Sequence, residues 1–204
     1  IILAAEAGVH FYPTAPEQVV NACYRAGFRT VFRGVVGDEL VAAEYQRLLG
    51  DHDWGTMIRS TCPIVVNRVR HEYPELVPYL APVTTPVAAE AGYLRATYGE
   101  DLKIAYAGVC VTEGNGVVDA VLTFRELEEL FVTRGVNLAE QPDTFERVPE
   151  ERRRYLSSAG GLPLPLLTGE TQASRRFRKV RGLDGLGALA QAVVDRVDLG
   201  FVDI

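Results

Sequence analysis

An α/β fold, built from parallel sheets with crossover helices, is the class this sequence predicts. Three observations predict it. Short apolar runs of buried-strand character alternate with segments of helical period, in the order β, α, β, α, β, α. The helical segments open on Thr, Asp or Pro and close on Gly, the residues that start and stop helices. The 204 residues are 48% hydrophobic and 24% charged, and a chain of this size can bury roughly 70% of its unfolded surface.

The elements follow in order. Ile1 to Ala5 is the first apolar run. Thr14 with Glu17 predicts a capping box for a helix whose stripe is Val19, Cys23 and Ala26, ended by Gly27. Thr30 to Phe32 reads as a short strand. Asp38 then caps a helix with Val41, Tyr45 and Leu48 on one face, and Gly50 is its stop. Thr56 to Thr61 is a strand that runs through Cys62 and Pro63 into IVVNRVRHEY, where Val65 or Val66, Val69 and Tyr73 recur at helical spacing. Proline fits a first helical turn because its missing N–H would be unpaired there anyway. Pro74 breaks that helix. Thr85 and Pro86 open another, with Val87, Ala91, Leu94 and Tyr98 in register and Gly99 as the stop. Lys103 to Val109 reads as a buried strand ending at Cys110, and Val117 to Leu122 as the next. Thr123 with Glu126 caps a helix through Leu127, Leu130 and Phe131 to Gly135. From Val136 to Arg181 periodicity gives way to Pro, Gly and charge clusters. A last helix, about Leu183 to Val197, leads to a strand-like Gly200 to Ile204. No repeat of fixed period and no clear linker divides the chain, so residues 1–204 read as one domain whose lobes, if two, the sequence does not separate.

Charge and cysteine usage narrow the function. Lys and Arg number 21 against 27 Asp and Glu, a net charge of −6, which disfavours a nucleic acid or an anionic membrane as partner. No apolar run reaches the ~18 residues of a membrane helix, and the opening residues lack a basic n-region and a cleavage signal. Cys23, Cys62 and Cys110 match neither a CxxC motif nor a secreted disulfide framework, which points to a reducing cytoplasm. The chain starts at Ile1 rather than Met and stops at Ile204 inside an apolar run, so a piece of a longer protein is expected.

In open parallel sheets ligands collect at the carboxyl ends of strands, where both Cys62 and Cys110 are predicted to sit. Cys62, as the N-cap of the Pro63 helix, also faces free backbone N–H groups and the positive end of the helix dipole, which favour a thiolate. A thiolate ligates metal or attacks an electrophile. The plainer alternative is a pair of small buried hydrophobes. Cys23 lies on an apolar stripe and reads as core. His10, His52 and His71 share no metal-binding spacing. Gly114 and Gly116 read as turn glycines, and Arg152 to Arg154 and Arg175 to Arg181 as solvated loop charge.

From Ser60 to Phe131 the sequence resembles the catalytic-domain core of iron-only hydrogenase large subunits. The resemblance rests on the strand-Cys-Pro-helix segment, the YPEL and LAPV turns, the Thr-Pro helix start, YGED before a strand ending in Cys, and VDAVLTFRELEELF. Pro16 to Phe32 and SAGGLPLPLL with the final helix are similar more loosely. The resemblance implies a two-lobed, iron-only-hydrogenase-like architecture. It implies that Cys62 and Cys110 are two of four cysteines holding a 4Fe-4S cluster, with the other two beyond Ile204. It also implies departures from a working enzyme. Thr61 stands where hydrogen-evolving members place a proton-shuttling cysteine, and Glu113 where they place a lysine that holds the diiron site's cyanide. Ala5, Glu6 and Val87 stand where small or hydrogen-bonding residues line the diiron unit, so a diiron subsite is not expected. With two plausible ligands of its own, the chain by itself would be metal-free. The expectation is an iron-sulfur domain for redox or gas sensing or electron relay, close to the family's sensory branch, without hydrogen turnover. Its partner would be an electron-transfer or signalling domain or subunit. The alternatives are an active hydrogenase subunit for hydrogen oxidation or proton reduction, a metal-free partner-binding scaffold, and a thiol-nucleophile enzyme built on Cys62.

Overall fold

The structure is a computed structural model that describes residues 1–50, 55–110, 112, 114, 116–147, 155–169 and 171–204. In chain order its strands are β1 (Ile2–Leu3), β2 (Phe32–Arg33), β3 (Met57–Ile58), β4 (Ala105–Gly108), β5 (Ala120–Thr123), β6 (Phe177–Lys179) and β7 (Phe201–Asp203). Its α-helices are α1 (Ala7–His10), α2 (Pro16–Ala26), α3 (Val36–Gly50), α4 (Pro63–Glu72), α5 (Pro86–Tyr98), α6 (Phe124–Thr133), α7 (Leu164–Thr168), α8 (Gln172–Arg175) and α9 (Leu186–Val194). The α/β class with parallel sheets and crossover helices holds: all five ladder pairings are parallel. The chain divides into two units, Ile1–Gly37 with Val87–Arg153, and Asp38–Pro86 with Arg154–Ile204. The first two boundaries fall inside α3 and at the first turn of α5, so no linker composition marks them in the sequence, and the third lies outside the described residues.

The first unit holds a four-stranded sheet in the order β2-β1-β4-β5. The chain leaves β1 toward β2 on one side and pairs with β4 on the other. That reversal makes the carboxyl ends of β1 and β4 a topological switch point, the place where open α/β sheets bind ligands. Ile2, Val31, Ala91, Leu94, Leu127 and Phe131 fill the core of this unit, each aliphatic side chain contributing about 1.5–3 kcal/mol on full burial. Thr123 Oγ1 accepts from the Glu126 N–H at 3.1 Å while the Glu126 carboxylate accepts from the Thr123 N–H at 2.7 Å, the capping box expected for α6. At α2 the cap differs from the expectation on Thr14 and Glu17. The helix begins one residue later, and Gln18 Oε1 accepts the Ala15 N–H at 3.0 Å, because Pro16 occupies the first helical position and fixes the start.

The second unit holds a three-stranded sheet in the order β3-β7-β6. Ile58, Val65, Val69, Leu76, Leu186 and Val202 form its core. Asp38, expected as a cap, lies in the first turn of α3, which starts at Val36. The charged stretch Arg175 to Arg181, expected as loop, contains β6, which pairs with β7 from Phe177↔Phe201 to Lys179↔Asp203. Its side chains alternate too little in polarity for a strand to be read from sequence. The predicted strands are shorter than expected throughout; the ladder at β3 spans two residues where Thr56 to Thr61 was read as strand.

Candidate functional site

Cys62 lies in the second unit, four residues beyond the end of β3 and at the N-cap of α4. It is half-buried, with φ −95° and ψ 111°, and its side chain makes no capping hydrogen bond. The three residues before it are tied to their surroundings one by one. The Arg59 N–H donates to Val202 O at 2.8 Å, continuing the β3–β7 pairing past the strand end. The Ser60 N–H donates to the Tyr45 hydroxyl at 3.0 Å, and Ser60 Oγ donates to Ala81 O at 2.7 Å, with Val83 O at 3.1 Å. Burial pushes the Tyr45 phenol up, and its bond with Ser60 offsets only part of that rise. Thr61 is 4% exposed.

The Arg59 guanidinium uses all three of its nitrogens. Nε donates to Thr61 Oγ1 at 2.7 Å, Nη1 to Asp203 Oδ1 at 2.7 Å, and Nη2 to Gly160 O. The ion pair is deep: the Arg59 side chain is 18% exposed and that of Asp203 7%. A buried pair of this kind is tolerated when further hydrogen bonds accompany it, and here the other two guanidinium nitrogens each have an acceptor. Gly160 has φ +78°, and a Cβ there would run into the guanidinium, so the Gly-Gly turn is shaped to receive Arg59. The sequence marks neither Arg59 nor Asp203 as a site residue, and it marks Tyr45 only as a helix-face residue and Gly160 only as part of SAGGLPLPLL. The one available signal was a pair of glycines in SAGGLPLPLL and an acid inside the apolar run at the chain's end.

Cys110 lies in the first unit, two residues beyond the end of β4, at the switch point. It too is half-buried, and its sulfur stands 2.8 Å from Thr112 Oγ1. Ala5 and Glu6, on the loop after β1, are exposed at the same end of that sheet. Val87 is not in the loop layer: it is buried in the first unit's core with Ala91 and Leu94. Glu113 lies outside the described residues, as do His52 and Arg152 to Arg154. Gly116 is a turn glycine with φ +77°, whereas Gly114 is buried against Val118 and Val121. His10 Nε2 stands 3.4 Å from Glu128, and His71 Nδ1 is 2.8 Å from Asn67 O within its own helix.

The donor chemistry separates the three thiols. Cys23 is fully buried in the first unit's core, and burial pushes its thiol up to about 12, so it is packing. Cys62 and Cys110 are unpaired, partly open to solvent and placed just past strand ends. Their chemistry fits iron-sulfur ligation, which takes thiolates. Among the described residues no group of three or more His, Cys, Asp or Glu side chains could hold a metal ion, and no helix is long and apolar enough to cross a membrane.

Comparison with known proteins follows the same line. The profile of the family described as "Iron only hydrogenase large subunit, C-terminal domain" matches residues 2–197. A variant of the FeFe-hydrogenase HydA1 from Chlamydomonas reinhardtii is 26% identical with a TM-score of 0.58, over 72% of this chain. This chain spans 42% of that protein's length. A structure of HydA(deltaEFG), described for stepwise assembly of its H-cluster, is 20% identical with a TM-score of 0.66, covering 94% of this chain and 70% of its own. A third FeFe-hydrogenase, described for oxygen inactivation through damage to its H cluster 2Fe subcluster, is 18% identical with a TM-score of 0.67, covering 100% of this chain and 76% of its own. At 20% and 18% identity the last two show the shared fold alone.

Proposed function

Because the chain belongs to the iron-only hydrogenase large-subunit family, C-terminal domain, we propose that it is a hydrogenase-like iron-sulfur domain serving redox or gas sensing or electron relay. In this reading Cys62 and Cys110 are two ligands of a 4Fe-4S cluster, and the domain does not turn over hydrogen. The observation that carries the proposal is the environment of Thr61. The residue beside the ligand Cys62 carries a buried hydroxyl that accepts a hydrogen bond from a guanidinium.

A bound cluster supplies a one-electron donor and acceptor whose potential follows the charge and hydrogen bonding around its sulfurs. The protein's own residues do the rest. Cys62 presents its sulfur from a helix N-terminus, whose partial positive charge stabilises negative charge on the ligand. Cys110 presents its sulfur from the switch point, with the Thr112 hydroxyl within hydrogen-bond distance. Thr61 holds its proton, since an aliphatic hydroxyl titrates far above neutral pH, and its oxygen accepts from Arg59 Nε. A relay beside Cys62 would need a group that loses and regains a proton near neutrality. A signalling or electron-transfer domain in a reducing cytoplasm is the partner this chemistry suits.

The test is anaerobic reconstitution of the intact protein with iron and sulfide, read by absorption, by infrared and by hydrogen evolution from reduced methyl viologen. Charge-transfer absorption is expected, lost in Cys62→Ala and Cys110→Ala, without carbonyl or cyanide bands and without hydrogen. An unchanged spectrum in both variants removes the cluster. Diatomic-ligand bands with turnover replace sensing or relay by an active hydrogenase subunit.

A further inference from the structure

We propose that Arg59 is the positioning residue for the Cys62 ligand, a clamp whose three-way hydrogen bonding through Thr61, Asp203 and Gly160 fixes the loop that presents the sulfur. This deepens the reading of Cys62 as a ligand and rests on it. Three residues separate β3 from Cys62, and beyond the bond from the Arg59 N–H to Val202 O this loop has no ladder to hold it. Its rigidity must come from side chains. Ser60 supplies one tie, to Ala81 and Val83. Arg59 supplies the tie that reaches the residue next to the ligand: Nε donates to Thr61 Oγ1 at 2.7 Å while Nη1 is held by Asp203 on β7. A planar guanidinium that satisfies three fixed acceptors has no freedom left to rotate, so the Thr61 hydroxyl is placed relative to the central strand of the sheet. Cys62 follows one peptide later. Gly160 holds a φ of +78°, which favours glycine, and a Cβ there would meet Nη2 where the guanidinium now lies. Lysine cannot do the same, because one ammonium does not span Thr61, Asp203 and Gly160 together.

The clamp is tested on the metal-free intact protein by the rate at which iodoacetamide alkylates Cys62, followed by peptide mass spectrometry with Cys110 in the same sample as internal reference. Local opening sets the reactivity of a half-buried thiol. Thr61→Val removes only the acceptor of Nε and should speed alkylation of Cys62 about tenfold, the effect of losing one charged hydrogen bond. Thr61→Ser keeps the acceptor and should restore the original rate. Arg59→Lys keeps the charge but not the fork and should match Thr61→Val. In the reconstituted protein the charge-transfer band should shift in Thr61→Val and return in Thr61→Ser. Far-UV circular dichroism identifies any variant that does not fold; if Thr61→Val is one, the comparison of Arg59→Lys with Thr61→Ser decides. Alkylation of Cys62 at the wild-type rate in the folded loss-of-clamp variants overturns the proposal. Faster alkylation in a protein that takes up no cluster leaves the clamp standing and removes the ligand role of Cys62, so the two failures are told apart.

Discussion

Arg59 and Asp203 sit 144 positions apart in the chain and yet form the deepest ion pair among those described. Removing one member leaves the other charge buried and unpaired, which costs about 3–5 kcal/mol. Asp203→Ala should therefore lower stability by that amount in urea unfolding, and a loss below about 1 kcal/mol would mean the pair is solvated in solution. Asp119 gives a prediction of opposite character. The Ile104 N–H, then Lys103 and Arg95, hold its exposed carboxyl at about 2, against an ordinary 3.8. A depressed acid stabilises the fold above its unfolded value and loses that contribution as pH falls through the folded one. Unfolding followed across pH 4 to 2 should show stability falling with acid, and Asp119→Asn should flatten that fall; an unaltered profile would contradict the assignment. The placement of Cys62 and Cys110 just past strand ends was legible in the sequence, because a cysteine at the end of an apolar run is a local pattern. The distant partners of Arg59 were not, because nothing local connects an arginine after one strand to a glycine 101 positions away.

At the scale of elements, what was legible is what is decided within a few residues. The Thr123–Glu126 box, the Pro63 and Pro86 helix starts and the parallel strands β1, β4 and β5 all follow from neighbours in sequence. Thr123→Ala, which removes an N-cap, should cost about 1 kcal/mol, measured by thermal unfolding; no change would mean that water replaces the cap without loss. Leu127 is fully buried on the inner face of α6, and Leu127→Ala should cost about 2–5 kcal/mol through lost burial and a residual cavity. β6 escaped the sequence reading because its hydrogen bonds to β7 come from a distant partner while its side chains, Phe177, Arg178 and Lys179, show no apolar run. The strand ends were overread for a related reason. In the Arg59–Thr61 segment the Arg59 and Ser60 side chains are engaged by Asp203, Ala81 and Val83 and the Ser60 N–H by the Tyr45 hydroxyl, so the regular ladder stops short.

At the scale of the whole molecule the sequence supported the α/β class and the family, while the division into two units was hidden at its first two boundaries by helices that carry the chain across them. Each unit has its own parallel sheet and core, and each offers one half-buried cysteine just beyond a strand's carboxyl end. The proposal that both sulfurs serve one cofactor rests on membership of the iron-only hydrogenase large-subunit family. The most direct measurement is electron paramagnetic resonance on the intact, anaerobically reconstituted and dithionite-reduced protein beside Cys62→Ala, Cys110→Ala and Cys23→Ala. The assignment predicts a reduced-cluster signal that both strand-end substitutions abolish or reshape and that the core substitution leaves in place. A signal indifferent to Cys62 and Cys110 would contradict it.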